Sequence, residues 1–220
     1  MLGVGVVVAA GCLIATVALL GGEARPGTDP DGDRLPAGSL PSRLAPSRPP
    51  VYTAWAGPGC ATRTTYREGG RFENGDAAWY TVASGGFRGE GCDGRFTALP
   101  MSGSPDRDGT GTATWTWPVG RDYTKCALAV YVPKGPRDID VAGNPTIYRV
   151  LADAADPKST YAVFGVRQPV HRGTLVQVGS YAVKSPVFTV HLTDRGRDWG
   201  AGSLTGAHHA AAQLRLTCKE

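Results

Sequence analysis

The sequence predicts an all-β domain of two packed antiparallel sheets, carried behind an apolar N-terminal segment and a proline-rich linker. Three observations predict it. Residues 1–22 carry no charge, and residues 23–50 contain seven prolines. From residue 51 onward the apolar runs are short, alternate with polar residues and are separated by Gly, Pro, Asp and Asn, which is the pattern of many strands joined by turns. The totals agree: 31 Gly and 17 Pro in 220 residues, with 19% charged and 8% aromatic side chains, exclude a charge-dominated disordered polymer and a long helical bundle. The charge balance, 23 − 19 = +4, is too thin for a nucleic-acid footprint, so no nucleic-acid partner is expected.

Residues 1–22 are almost entirely Val, Ala, Leu, Gly and Ile. At about 1.5 Å per helical residue they just reach across a hydrocarbon core of roughly 30 Å, and we read them as a single transmembrane anchor. Two alternatives stay open, a cleaved secretion signal and a lipidated Cys12 after Ala9-Ala10-Gly11. Arg25, Arg34, Arg43 and Arg48 all follow the segment, and the positive-inside rule taken alone would place the domain in the cytoplasm. The cysteines argue for the outside and are given more weight, with a basic stretch upstream of Met1 expected to reconcile the two. Residues 23–50 have too few large apolar side chains to fold alone and read as an extended, partly stiff spacer. Asp29-Pro30-Asp31-Gly32-Asp33 has the glycine too early for a calcium loop, and Leu40 stands where a bidentate Glu is needed.

Residues 51–220 are read as one domain. Its expected strands are Trp79 to Ala83, Arg95 to Leu99, Thr112 to Trp117, Cys126 to Val132, Thr146 to Leu151, Tyr161 to Arg167, Thr174 to Val183, Val187 to Leu192 and Ala212 to Cys218. The alanine-rich stretch Ala207 to Ala212 is compatible with a helical turn, which leaves the boundary of the last strand open. Counting in twos assigns faces. Ala113, Trp115 and Trp117 share one side of their strand against Thr112, Thr114 and Thr116, and Phe188, Val190 and Leu192 separate from Thr189 and His191. Cys126 points with Leu128, Val130 and Val132, and Cys218 with Leu214 and Leu216, opposite Gln213, Arg215 and Thr217.

Outside the anchor, Cys60, Cys92, Cys126 and Cys218 form an even set that permits three pairings and suits an oxidising compartment. No two have the spacing of a zinc knuckle, so no metal is expected. Two cysteines lie on apolar strand faces and two in Gly-rich loops, which predicts disulfides Cys126–Cys218 and Cys60–Cys92.

The search for catalytic chemistry finds none, and neither catalytic residues nor a cofactor are expected. The G-x-S-x-G pentapeptide does not occur. His208 and His209 would point to opposite faces if extended, which spoils them as joint ligands; His171 and His191 stand alone. Asp106 with Asp108, Asp138 with Asp140, and Asp194 with Asp198 read as solvated turns rather than acid/base pairs. Gly85, Gly86, Gly89 and Gly91 lack the helix and the GK[ST] ending of a phosphate cradle.

The tryptophans are more informative. Trp115 and Trp117 are core by alternation, and Trp55 and Trp79 are undecided. Trp199 stands in the polar loop Asp194-Arg195-Gly196-Arg197-Asp198-Trp199-Gly200. It either presents a face to a sugar ring, with Arg197 and Asp198 meeting hydroxyls, or folds back to cap one end of the sandwich.

From Cys126 onward the chain resembles the golvesin and xanthan-lyase carbohydrate-binding-like domain. The matching stretches are Cys126 to Pro133, Thr146 to Val150, Phe164 to Gln168, Val176 to Tyr181 and Val187 to Asp194. The resemblance implies an antiparallel jelly-roll-like β-sandwich of an exported, membrane-anchored bacterial protein, with residues 51–125 as further strands and loops of the same sandwich. The chain departs from that pattern at Arg167, where the family often has Asp, at Leu175, near the place of a Trp, and at Ala211 to Arg215, where Ala-Asp-Ala-Val-Arg is usual. The expected role is a non-catalytic extracellular binding module on a single-pass anchor, contacting cell-wall or environmental polysaccharide through Trp199, Arg197 and Asp198. The alternative is a structural or sensory ectodomain that recognises a surface protein or peptide.

Overall fold

In the computed structural model, which describes residues 51–75, 78–200, 202 and 205–219, every expected strand is present. In chain order the strands are β1 (Val51–Ala56), β2 (Thr65–Gly69), β3 (Tyr80–Val82), β4 (Arg88–Gly89), β5 (Cys92–Asp93), β6 (Phe96–Pro100) and β7 (Thr112–Pro118). They continue with β8 (Lys125–Val132), β9 (Thr146–Leu151), β10 (Thr160–Val166), β11 (Thr174–Ala182), β12 (Val187–Thr193), β13 (His208–Ala211) and β14 (Leu214–Lys219). The expected anchor, 1–22, and linker, 23–50, lie outside the described residues. Among the described residues no helix is long and apolar enough to cross a membrane.

Two antiparallel sheets carry the core. One runs β1-β14-β8-β11 and the other β10-β9-β12-β7-β2. The inward sets named from alternation are buried: Ala113, Trp115 and Trp117 on β7, Phe188, Val190 and Leu192 on β12, and Leu128, Val130, Leu214 and Leu216 on the facing sheet. The indole N–H of Trp117 donates to the carbonyl of Ala54 at 3.1 Å, tying β7 of one sheet to β1 of the other. A third sheet, β13-β6-β3, and a two-residue ladder, β4-β5, are built mainly from the N-terminal part of the domain.

Ala207 to Ala212 is not a helical turn. His208–Ala211 pair with β6, from His208↔Pro100 to Ala211↔Thr97. The small side chains of Ala210 and Ala211 are fully buried there, so tertiary packing overrides the helical preference of alanine. At Ala212-Gln213 the chain leaves the third sheet and enters the four-stranded one, a sheet switch at an irregular position. Gln213, expected on the face opposite Leu214, is instead fully buried at this switch. Its amide donates to the carbonyls of Pro58 at 2.8 Å and Arg95 at 2.6 Å, and its Oε1 accepts from the N–H of Phe87 at 2.8 Å. Gly57, at φ +151°, passes so close that a Cβ there would meet Gln213 Cα at 2.8 Å. Gln213→Ala takes the side-chain partner from one buried and two part-buried backbone groups and is expected to cost about 3 kcal/mol, read as a lowered denaturant midpoint.

The central strand β12 is buried on both faces, although Thr189 and His191 belong to its polar side. Thr189 lies between Thr116 and Leu151, and His191 between Thr114 and Arg149, so flanking strands shield it. The disulfides are Cys60–Cys92 and Cys126–Cys218, the expected pairs. Cys126 and Cys218 are directly opposite across β8 and β14, which is why alternation placed both on the same buried face.

Candidate ligand-binding groove

The loop after β12 is fixed at its base by Asp194. Its buried carboxylate accepts from the N–H of Gly109 at 2.6 Å and of Gly111 at 2.8 Å. Its own carbonyl accepts from Ser102 N–H at 2.7 Å, and Gly196 N–H donates to Ser104 O at 2.9 Å. The loops 101–111 and 194–200 are thereby laced together. Asp108 joins them from the side, accepting from Arg149 at 2.5 Å and Arg195 at 3.0 Å. Burial alone would raise its carboxyl pKa, but the hydrogen bond from Arg195 and the charges of Arg149 and Arg195 bring it below the ordinary value.

This lacing sets the edge of a groove of about 430 Å³, with the segment from Ala142 to Ile147 opposite. Met101, Asn144, Pro145, Arg195, Arg197 and His209 are among its walls. Gly196 is needed where the loop crosses its floor, because a Cβ there would meet Met101 Sδ at 2.7 Å and His209 Nε2 at 2.9 Å. Arg167 steadies the opposite wall by donating through Nε to Asn144 Oδ1 at 3.0 Å.

The expected site residues separate at this point. Trp199 does not cap the sandwich: it is 56% exposed, its Nε1–H donates to Gly103 O at 2.7 Å, and the guanidinium of Arg197 lies 5.1 Å from its ring centroid. Arg197 lines the groove and lies over the ring of Trp199. Neither Asp198, which is partly exposed, nor Trp199 itself lines it. Trp55 and Trp79 are buried, Trp55 stacked on Phe87 at 3.7 Å. The residues missed by sequence reading, Met101, Asn144 and His209, come from three separate segments and have no local motif. Arg195 was visible in the Arg-Gly-Arg run, but its place in the wall needed the third dimension.

The histidines and paired carboxylates all have structural partners or stand apart from one another. His209 is fully buried; Thr146 Oγ1 lies 2.9 Å from its Nδ1 and Arg195 O lies 3.0 Å from its Nε2. His208, turned the other way, contacts Gly206 O and Ala78 O. Asp138 pairs with Arg172, and Asp140 accepts from Tyr80 and Arg137. A shallow polar recess elsewhere centres on Glu68, which accepts from Tyr66, Thr97 and Arg71.

Burial pushes the His209 pKa down to about 4, only partly opposed by the hydrogen bond to the carbonyl of Arg195. Between the unfolded value near 6.5 and the folded value the unfolded chain binds a proton that the native one does not. Stability is therefore expected to fall by roughly 3 kcal/mol as pH drops from 6.5 to 4, with a smaller slope in His209→Gln. Denaturant titrations across that window check it.

Comparison with protein-family models, with curated proteins and with solved structures returns no match.

Proposed function

We propose that the domain is a non-catalytic extracellular binding module that contacts cell-wall or environmental polysaccharide at the groove beside Trp199. The observation that carries this reading is a large aromatic ring left 56% exposed, anchored by a hydrogen bond to Gly103 and covered by Arg197, which itself lines the groove. A pre-oriented ring can pack against the C–H face of a sugar with little ordering cost, and neighbouring donors fix its register. The resemblance to golvesin-like sandwiches supports the same reading and supplies the jelly-roll-like assignment. In this reading residues 1–22 anchor the chain in the membrane, single-pass, and residues 23–50 hold the domain away from it.

Retention of the protein on wall polysaccharides tests the proposal. Trp199→Ala is expected to weaken retention about tenfold, or about 1.4 kcal/mol, without moving the unfolding temperature. Failure of every wall polymer to retain the protein, or retention unchanged in Trp199→Ala, would remove it.

A protein or peptide partner is the second reading, and the edge strand β10 favours it, because Val163 there is 60% exposed. Saturable binding to a purified surface protein, insensitive to added sugars, would select it.

A further inference from the structure

Resting on the polysaccharide reading, we infer that the ligand of the groove is an acidic polysaccharide, held through its carboxylate or phosphate groups by Arg197 and Arg195. The polar side chains of the lining are donors. Arg195 and Arg197 have no acceptor atom, and among the described residues no carboxylate lines the groove. Asn144 has its oxygen occupied by Arg167, so its free polar group is the amide N–H₂. His209 has a protein oxygen within 3.0 Å of each ring nitrogen, which leaves it nothing to offer a ligand.

A neutral sugar hydroxyl both donates and accepts, and it binds best where the side chains do the same. An anion only accepts, and a donor-only wall with two guanidinium groups matches it. Of the nearby carboxylates, Asp194 is turned into the backbone of Gly109 and Gly111, and Asp108 is shared by Arg149 and Arg195, so the uncompensated charge at the groove is that of Arg197, with the remaining N–H groups of Arg195 beside it. Arg197 forms no ion pair among the described residues. Stacking on Trp199 orients its plane and leaves its N–H edge for a bidentate pair. Met101, Pro145 and Ile147 supply the apolar surface against which the sugar backbone packs.

The test is a set of binding isotherms with the full chain in detergent, using polygalacturonate, poly(glycerol phosphate) and a neutral glucan of similar length. The acidic polymers are expected to bind at least about tenfold more tightly than the glucan, an advantage that shrinks as NaCl rises from about 50 to about 300 mM. Preference for the uronate identifies a carboxylate ligand and preference for the phosphate polymer a phosphate one. Arg197→Gln should remove about tenfold of the acidic-polymer affinity while leaving glucan binding unchanged, and Arg88→Gln, an exposed arginine outside the groove, should change neither.

Equal affinity for glucan and acidic polymers would overturn the inference and leave the polysaccharide reading standing. So would an Arg88→Gln loss as large as that of Arg197→Gln. Absence of binding to all three polymers, with Trp199→Ala also silent on wall polymers, would remove both. Unchanged thermal unfolding of Arg197→Gln separates lost recognition from lost fold.

Discussion

Replacing Cys126 and Cys218 together by alanine is expected to lower the unfolding free energy by about 4.5 kcal/mol, the largest single effect of any covalent change in the domain. The bridge closes a loop of 92 residues, so cutting it returns the greatest conformational freedom to the unfolded chain. Its native cost is small, because both sulfurs lie on the buried face of neighbouring strands that stay paired from Leu214↔Val130 to Lys219↔Lys125. The shorter Cys60–Cys92 bridge, spanning 32 residues, is expected to contribute about 3.7 kcal/mol. Denaturant midpoints of the two double variants check both values. A larger loss from the shorter bridge would show that loop size does not govern them.

Trp115→Ala is expected to cost about 5 kcal/mol. The side chain is fully buried, packs against Tyr66 and Tyr148 at centroid distances of 5.4 and 6.1 Å, and donates from Nε1 to Ala212 O at 2.9 Å. Truncation creates a cavity worth about 3 to 5 kcal/mol and also orphans a buried carbonyl at the sheet switch. For a domain whose whole stability is of order 5–15 kcal/mol, that brings the native state close to its limit. Trp115→Phe keeps most of the volume and loses only the hydrogen bond, for about 1–2 kcal/mol. Thermal unfolding of the pair checks the split, and equal losses would place the energy in the hydrogen bond rather than in packing.

The sandwich was legible because period-two alternation is a local signal. Thr-Ala-Thr-Trp-Thr-Trp states the faces of β7 without reference to any other strand, and the same counting put Cys126 and Cys218 on one layer. What alternation could not express was coverage from outside the strand. Thr189 and His191 are polar in the sequence and buried in the fold because neighbouring strands shield them. His208–Ala211 read as a helical turn because alanine-rich composition carries no trace of the strand β6 that captures it. Gln213 was placed on an outer face by counting through a position where the chain changes sheets and the count breaks.

The groove was legible at one wall only. The run from Asp194 to Gly200 announced itself as a polar loop with an unexplained tryptophan, and the structure keeps Trp199 exposed with Arg197 upon it. The other wall, at Asn144 and Pro145, lies about fifty residues earlier in the chain, and no pattern in the sequence couples the two. Asp198 and Trp199, grouped with Arg197 by adjacency, stand outside the lining because successive loop residues need not face the same way.

The oxidation state of the four thiols in the native host tests most directly the proposal that this twice-bridged domain works beyond the membrane. Protein taken from its native host into alkylating reagent, digested without reduction and mapped by mass spectrometry, should yield Cys60 joined to Cys92 and Cys126 joined to Cys218, with none of the four alkylated. Alkylated, unpaired thiols at these four positions would contradict it.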